Sequence, residues 1–289
     1  MKNKNIKLGI VGFGILGKAL NHVFSDKFTI FIYDKYNKEY RSIEKLAKEA
    51  DIIFIAVPTP MKESGEIDLS YIEDALSTVS KAVKKEKRYP IVVLRSTIIP
   101  GTTESLQKKY EELKLVFNPE FLTEKNFLED MKNTDRIVIG SKDKNSGLAV
   151  ENAYKEVFPN AKYIKTDTKT AELVKYASNV TLASQVMIAN ELYQICQKLR
   201  IDYDTIKNTL LIDKRIGTNT NVPGPDGNLG FGGKCFPKDL NALIKFSESI
   251  GYNPELLKQV WKSNLKLRKE KDWESIKGAT SKNGFKSIN

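Results

Sequence analysis

Through the first half of the chain, short runs rich in β-branched and aromatic residues alternate with longer stretches whose apolar positions recur at helical spacing. The pattern predicts strands at Lys7–Val11, Thr29–Tyr33, Ile52–Val57, Ile91–Arg95, Leu115–Phe117 and Ile137–Gly140. Between them it predicts helices over Gly14–Phe24, Ser42–Lys48, Leu69–Ala82 and Thr102–Leu113. Strands joined by helical crossovers imply an α/β fold, a doubly wound parallel sheet covered on both faces.

After Phe158-Pro159 the texture changes. Thr166 to Arg200 contains no Gly or Pro and reads as one long helix, with Asp167 or Thr168 as its N-cap. Asp204–Leu210 predicts another helix. A loop rich in Gly, Pro and Asn follows from Gly217 to Gly233, and helices resume at Lys238–Ser249 and Glu255–Lys271. The expected organisation is a sheet domain over 1–162, a mainly helical domain over 163–277, and a frayed tail over 278–289. Val174, Val180, Leu182, Val186, Ile188 and Leu192 lie all around the long helix. Burial on more than one side, and hence a homodimer, is the expectation.

Composition narrows the classes. The 289 residues are 40% hydrophobic and 29% charged, enough apolar material for a large core and unlike a disordered or repeat chain. No apolar run reaches the roughly 18–20 residues a membrane span needs, and the N-terminus enters a strand without a signal-peptide core. Cys196 and Cys235 cannot make a disulfide framework, so a cytoplasmic protein with no membrane partner is expected. The 47 Lys and Arg against 36 Asp and Glu give a net charge of +11, a field that attracts anions. The basic residues are dispersed, however, and the densest cluster, Lys81–Arg88, is interrupted by Glu86 and has no interleaved aromatics. A nucleic-acid partner is therefore not expected. The single histidine, His22, rules out a His-rich metal site, so no metal is expected and acid–base chemistry must use other groups.

Gly12-x-Gly14-x-x-Gly17 stands between the first strand and the first helix. Gly12 allows the tight turn, Gly14 lets backbone approach a pyrophosphate, and Gly17 lets helix and strand pack closely. The phosphates would lie at the helix N-terminus, beside Ile15 and Leu16, where free N–H groups favour negative charge. Asp34 follows at the end of the second strand, where an acid binds a ribose diol and repels a 2′-phosphate. The first domain is therefore expected to be a Rossmann domain that binds NAD rather than NADP, with Lys35 the one opposing charge.

Phe231-Gly232-Gly233-Lys234-Cys235-Phe236-Pro237-Lys238-Asp239 places a cysteine at the start of a helix with ammonium groups nearby, a setting that favours thiolate. On this stretch alone a nucleophile and a structural cysteine both stand. Cys196, among Leu192, Ile195 and Leu199, reads as a buried inert thiol. Thr97, Glu120 and Glu124 follow the fourth and fifth strands, where the carboxyl ends of a doubly wound sheet form the ligand crevice. If Pro119–Glu124 begins a helical turn, the two glutamates share a face. Lys175 and Asn179, four apart in the long helix, can address the same spot, and the apolar flanks of Lys175 imply burial.

Taken with the glycine fingerprint, Val57-Pro58-Thr59-Pro60, Ser96-Thr97, Asn118-Pro119-Glu120-Phe121-Leu122-x-Glu124, Glu172-Leu173-x-Lys175-x-x-x-Asn179, Arg215-Ile216-Gly217 and Gly232-Gly233-x-Cys235-x-Pro237-Lys238-Asp239 occur in collinear order over residues 6–245. This series resembles the nucleotide-sugar dehydrogenases of the UDP-glucose/GDP-mannose dehydrogenase family. The resemblance implies an NAD-dependent, four-electron oxidation of a sugar C6 alcohol to a carboxylate, UDP-glucose to UDP-glucuronate. It implies that Cys235 forms a thiohemiacetal and then a thioester, and that Lys175 and Asn179 hold the developing oxyanion. Glu120 would act as base or water activator, with Thr97 and Asp239 placing the hydrolytic water. Glu124, Arg215, Lys238, Phe121 and Leu122 would contact the substrate, and Pro58, Thr59 and Thr97 the cofactor. Relatives continue into a second nucleotide-binding domain, so a chain ending at Asn289 is expected to be a naturally short form, a fragment or half of a split enzyme. GDP-mannose and UDP-N-acetyl-hexosamine are the alternative substrates, and a non-catalytic NAD-binding module or a hydroxyisobutyrate-type dehydrogenase the alternative readings. Asp226, in the loop before the cysteine, is helpful near a diphosphate only if it points away.

Overall fold

The computed structural model describes residues 6–281 apart from 124, 215, 218 and 277. A seven-stranded sheet is formed by β1 (Lys7–Val11), β2 (Thr29–Tyr33), β3 (Ile52–Ile55), β4 (Ile91–Leu94), β5 (Lys114–Phe117), β6 (Arg136–Ser141) and β7 (Lys162–Thr166). Its order is β2-β1-β3-β4-β5-β6-β7. Neighbours pair parallel except β5 with β6, which pair antiparallel. Because successive side chains point to opposite faces, Ile53 and Ile55 enter one layer and Ile52 and Phe54 the other. The first layer packs against α2 (Ile43–Glu49), α3 (Ser70–Lys85) and α4 (Thr102–Lys109) through Leu46, Leu76, Val79 and Leu106. The second packs against α1 (Ile15–Phe24) and α6 (Lys144–Lys155) through Leu20, Phe24, Val150 and Tyr154. Both faces being covered explains why the central strands are continuously apolar.

β7, α6 and the short α5 (Phe127–Lys132) go beyond the elements legible in the sequence. β7 is an edge strand reading Lys-Tyr-Ile-Lys-Thr, with Lys162, Ile164 and Lys165 exposed, so it carries no apolar run. It lies astride the 162/163 division expected from sequence. In α6, Gly147 lowers intrinsic helix propensity. It is there for close packing: a Cβ on it would lie 3.2 Å from the Cβ of Ser141.

Among the described residues the chain forms two compact units, one taking 6–59 with Leu69–Lys175, the other taking Pro60–Asp68 and 176–281. α7 (Thr168–Leu199) runs from the first into the second, and Asp167 accepts a 2.9 Å bond from the Thr170 N–H at its start. The second unit adds α8 (Tyr203–Leu210), α9 (Phe236–Ser249), α10 (Glu255–Leu267) and a 3-10 turn at Asp272–Glu274. Its core joins Val180, Ala183 and Met187 of α7 to Leu240 and Ile244 of α9 and Val260 of α10. α10 stops at Leu267 rather than Lys271, because Arg268 turns to extended backbone. At the start of the tail expected to fray from Gly278, two residues are bonded. Met61 N donates to Ala279 O at 2.9 Å and Ser281 N to Met61 O at 2.8 Å, so this stretch is tied down. Residues 282–289 lie outside the described residues.

Candidate active site

In the first unit the glycine fingerprint has the geometry its spacing implies. Gly12 has φ +93°, and a Cβ on it would sit 2.8 Å from the Ala56 carbonyl oxygen, at the β1–β3 crevice where strand order reverses. A Cβ on Gly17 would lie 2.1 Å from Gly12 O, whereas one on Gly14 meets no atom within 4 Å. Gly14 is the N-cap of α1 and makes no side-chain capping bond, so open space faces the start of a helix whose first N–H groups no cap satisfies. A dinucleotide pyrophosphate fits such a cradle. Ile15 and Leu16 form the first turn, with Ile15 exposed.

Asp34 braces this loop: it accepts from Phe13 N at 2.7 Å and from Tyr36 N at 2.9 Å, which brings its carboxylate beside the fingerprint. Lys35 pairs with Asp74 at 3.0 Å. Beyond β3, Pro58 is half-buried and Thr59 buried, and the Ser96 hydroxyl donates to Val57 O at 2.6 Å. This bond links the segment bearing Pro58 and Thr59 to the one bearing buried Thr97. These residues fit NAD, and the carboxylate disfavours a 2′-phosphate. His22 is exposed on α1.

Beyond β5, Glu120 forms a 2.9 Å ion pair with Lys175, their side chains 15% and 3% exposed. Burial pushes the Glu120 carboxyl up. The Lys175 ammonium, the Leu122 N–H at 2.6 Å and the Arg95 guanidinium outweigh it and hold the group below its ordinary value, as carboxylate. Pro119–Thr123 is irregular rather than the helical turn considered from sequence. Glu124 lies outside the described residues. Phe121 takes the Arg136 guanidinium over its ring at 4.3 Å, and with Leu122 it lines a cavity of about 270 Å³ that also reaches Glu120 and Arg95.

Sequence reasoning gave no role to four residues that set this geometry. Buried Arg95 donates to Asn118 Oδ1 and the Tyr154 hydroxyl, Tyr154 donates to Asn118 Oδ1 at 2.6 Å, and Asn118 donates to Val138 O at 2.7 Å. The network fixes the residues before Glu120. A charged residue closing an apolar strand, as Arg95 does, is the one sequence signal for it. Glu172, wholly buried on α7, accepts from Gly101 N at 2.5 Å and from Thr103 N at 2.8 Å. It caps the start of α4 and fixes the register of Lys175 one turn on, and burial pushes its carboxyl up.

In the second unit Asp239 is buried between two donors, the Asn179 amide and the Lys238 ammonium. Cys235 is half-buried and forms the N-cap of α9, with Pro237 in the first turn, so the helix starts two residues before the position expected. Cys196 is buried. Asp226 is engaged by Arg268 at 2.5 Å. Arg215 lies outside the described residues. Among the described residues no group of three His, Cys, Asp or Glu is set to hold a metal ion, and no helix is long and apolar enough to cross a membrane.

The model of the UDP-glucose/GDP-mannose dehydrogenase family's NAD binding domain matches residues 32–158, and that of its central domain matches 169–266. The UDP-glucose 6-dehydrogenase of Rickettsia prowazekii (strain Madrid E) is 38% identical over 238 residues, covering 81% of this chain and 51% of that protein. UDP-glucose 6-dehydrogenase YwqF of Bacillus subtilis (strain 168) is 37% identical over 230 residues, covering 77% and 50%. The chain thus spans about half the length of the curated relatives it matches. Among solved structures, a UDP-glucose dehydrogenase from Pyrobaculum islandicum superposes with a TM-score of 0.83 at 32% identity, covering 92% of this chain and 69% of that one. With both signatures matched in order and the fold shared, the chain belongs to the UDP-glucose/GDP-mannose dehydrogenase family, and its sheet unit carries that family's NAD-binding domain.

Proposed function

We propose that this chain oxidises the C6 alcohol of a nucleotide sugar, UDP-glucose, to the uronic acid through a covalent intermediate on Cys235. NAD, when bound, supplies the hydride acceptor, two per sugar. The observation that carries the reading is the Glu120–Lys175 pair, charged groups largely withdrawn from water beyond the carboxyl end of β5 in a chain that also presents a cysteine at a helix N-terminus.

Lys175 and Asn179, one turn apart on α7, are suited to stabilise negative charge on the reacting oxygen, an ammonium and an amide donor whose own partners pre-orient them. As the alcohol loses hydride, its hydroxyl proton leaves to Glu120 directly or through water, since Glu120 is held as carboxylate. The Cys235 sulfur then adds to the aldehyde carbon to form a thiohemiacetal, and loss of a second hydride leaves a thioester. Water oriented by Thr97 and Asp239 adds to the thioester carbon, and the C–S bond breaks to return the thiol and release the carboxylate. The sum is RCH2OH + H2O + 2 NAD+ → RCOO− + 2 NADH + 3 H+. Glu124, Arg215, Lys238, Phe121 and Leu122 complete the proposed substrate contacts.

Ile188, Ile195 and Leu199 of α7 are more than half exposed, which supports a homodimer closing over this helix. A cytoplasmic setting suits a working thiol. The test is stoichiometric. Two NADH per uronate from UDP-glucose supports the reading; one NADH with free aldehyde contradicts the covalent route. NAD binding without turnover of UDP-glucose, GDP-mannose or UDP-N-acetyl-hexosamines favours the binding module.

A further inference from the structure

The loop that delivers Cys235 has no regular secondary structure, yet side chains of the second unit hold its main chain at point after point. Gly230 N donates to Asn190 Oδ1 at 2.9 Å. Phe231 N donates to Asn264 Oδ1 at 2.8 Å, and Asn264 Nδ2 returns a bond to Phe231 O at 3.0 Å. Gly233 N donates to Asp272 Oδ2 at 2.9 Å. Asp272 is itself held from behind: its other oxygen lies 3.1 Å from Nη2 of Arg268, and the same nitrogen bonds Asp226 at 2.5 Å. The Arg268 side chain is 1% exposed, so it serves as an internal cross-link. A Cβ on Gly232 would lie 2.2 Å from Arg268 Nη2 and 2.3 Å from Asp272 Oδ1, so backbone sits directly on the ion triad. One guanidinium between two carboxylates leaves a net negative charge, which disfavours an anionic ligand and fits a latch.

We propose that Arg268, Asp272 and Asp226 form a latch that positions Cys235 at the N-terminus of α9, Arg268 and Asp272 acting as positioning residues for the reactive thiol. The proposal rests on Cys235 being the nucleophile of the function proposed above. The physical argument is direct. A thiol draws on the partial positive charge of a helix start only while it stays in the first turn. Releasing the Gly233 amide frees the segment two residues upstream of the sulfur.

The test reads the thiol as well as turnover. Iodoacetamide alkylation of Cys235 at pH 7.5, followed by peptide mass spectrometry so that Cys196 is counted separately, is compared for wild type, Asp272→Ala, Asp226→Asn, Arg268→Lys and the exposed α10 variant Lys266→Ala. The latch predicts that Asp272→Ala alkylates about three-fold more slowly, a loss on the scale of a helix-terminus interaction. Asp226→Asn should shift the rate in the same direction by less. Arg268→Lys should retain most of the wild-type rate, and Lys266→Ala all of it. In turnover with NAD and UDP-glucose, kcat should fall while the KM for NAD stays unchanged. Wild-type alkylation in Asp272→Ala overturns the proposal, and so does loss of folding in both aspartate variants, which would make the triad a stability element only. Failure of Cys235→Ser to lose acid formation would overturn the proposed function instead, and the alkylation series separates the two.

Discussion

Replacing Lys175 by Met tests the buried pair that organises the candidate site. The variant keeps the length of the side chain and removes the ammonium that lies 2.9 Å from Glu120. Removing one member of a buried ion pair typically costs about 3–5 kcal/mol, because the other charge is left uncompensated. Glu120 can limit that loss by taking up a proton, so the lower end, about 3 kcal/mol, is expected at pH 7.5. In a chain of this size that corresponds to a fall in Tm of about 5 °C.

The pH dependence carries the sharper signature. In the wild type the folded Glu120 carboxyl is held below its unfolded value. Its contribution is therefore present above an unfolded pKa of about 4.3 and lost only as pH falls through the lower folded value. In Lys175→Met, burial, the largest single influence on this group, is opposed only by the Leu122 N–H and the Arg95 guanidinium, and the folded carboxyl moves up from its wild-type value. The native state then binds the extra proton, and the deficit shrinks as pH falls from 7.5 towards 5, by up to about 1.4 kcal/mol per unit while the group titrates. Thermal melts by circular dichroism at pH 7.5, 6.5 and 5.5 check this. A deficit that stays constant over the range, or a variant as stable as wild type at pH 7.5, refutes the argument.

The glycine fingerprint predicts a split between two substitutions. Gly14→Ala meets open space and should melt like wild type while losing NAD affinity at least ten-fold by calorimetric titration; Gly17→Ala drives a methyl into Gly12 O and should lose both stability and NAD binding. Asn179→Asp sets a second carboxylate against buried Asp239, so its Tm should fall more at pH 8 than at pH 5, and adding Asp239→Asn should recover most of the difference. Cys235→Ser should leave the fold and NAD binding intact while uronate formation drops below a hundredth of wild type, measured by product chromatography.

The sheet was legible because its central strands are buried on both faces and so must be apolar without interruption, as Ile52–Ile55 shows. β7 was not, because an edge strand with exposed Lys162 and Lys165 has little to distinguish it from a loop. The fingerprint glycines were readable one by one, since each answers a separate steric demand. Lys175 and Asn179 were readable as helical neighbours, but their carboxylate partners were not, because Glu120 is 55 positions and Asp239 60 positions away in sequence. Arg95 and Arg268 passed unnoticed for the same reason: a buried arginine and a surface arginine look alike until the fold shows what encloses them.

The most direct measurement incubates the purified chain with NAD and UDP-glucose and follows NADH at 340 nm beside uronate and aldehyde by mass spectrometry. The account predicts two NADH for each uronate formed and no aldehyde released at any time. Aldehyde accumulating with one NADH per sugar, or NAD bound with no oxidation of any nucleotide sugar, would contradict it.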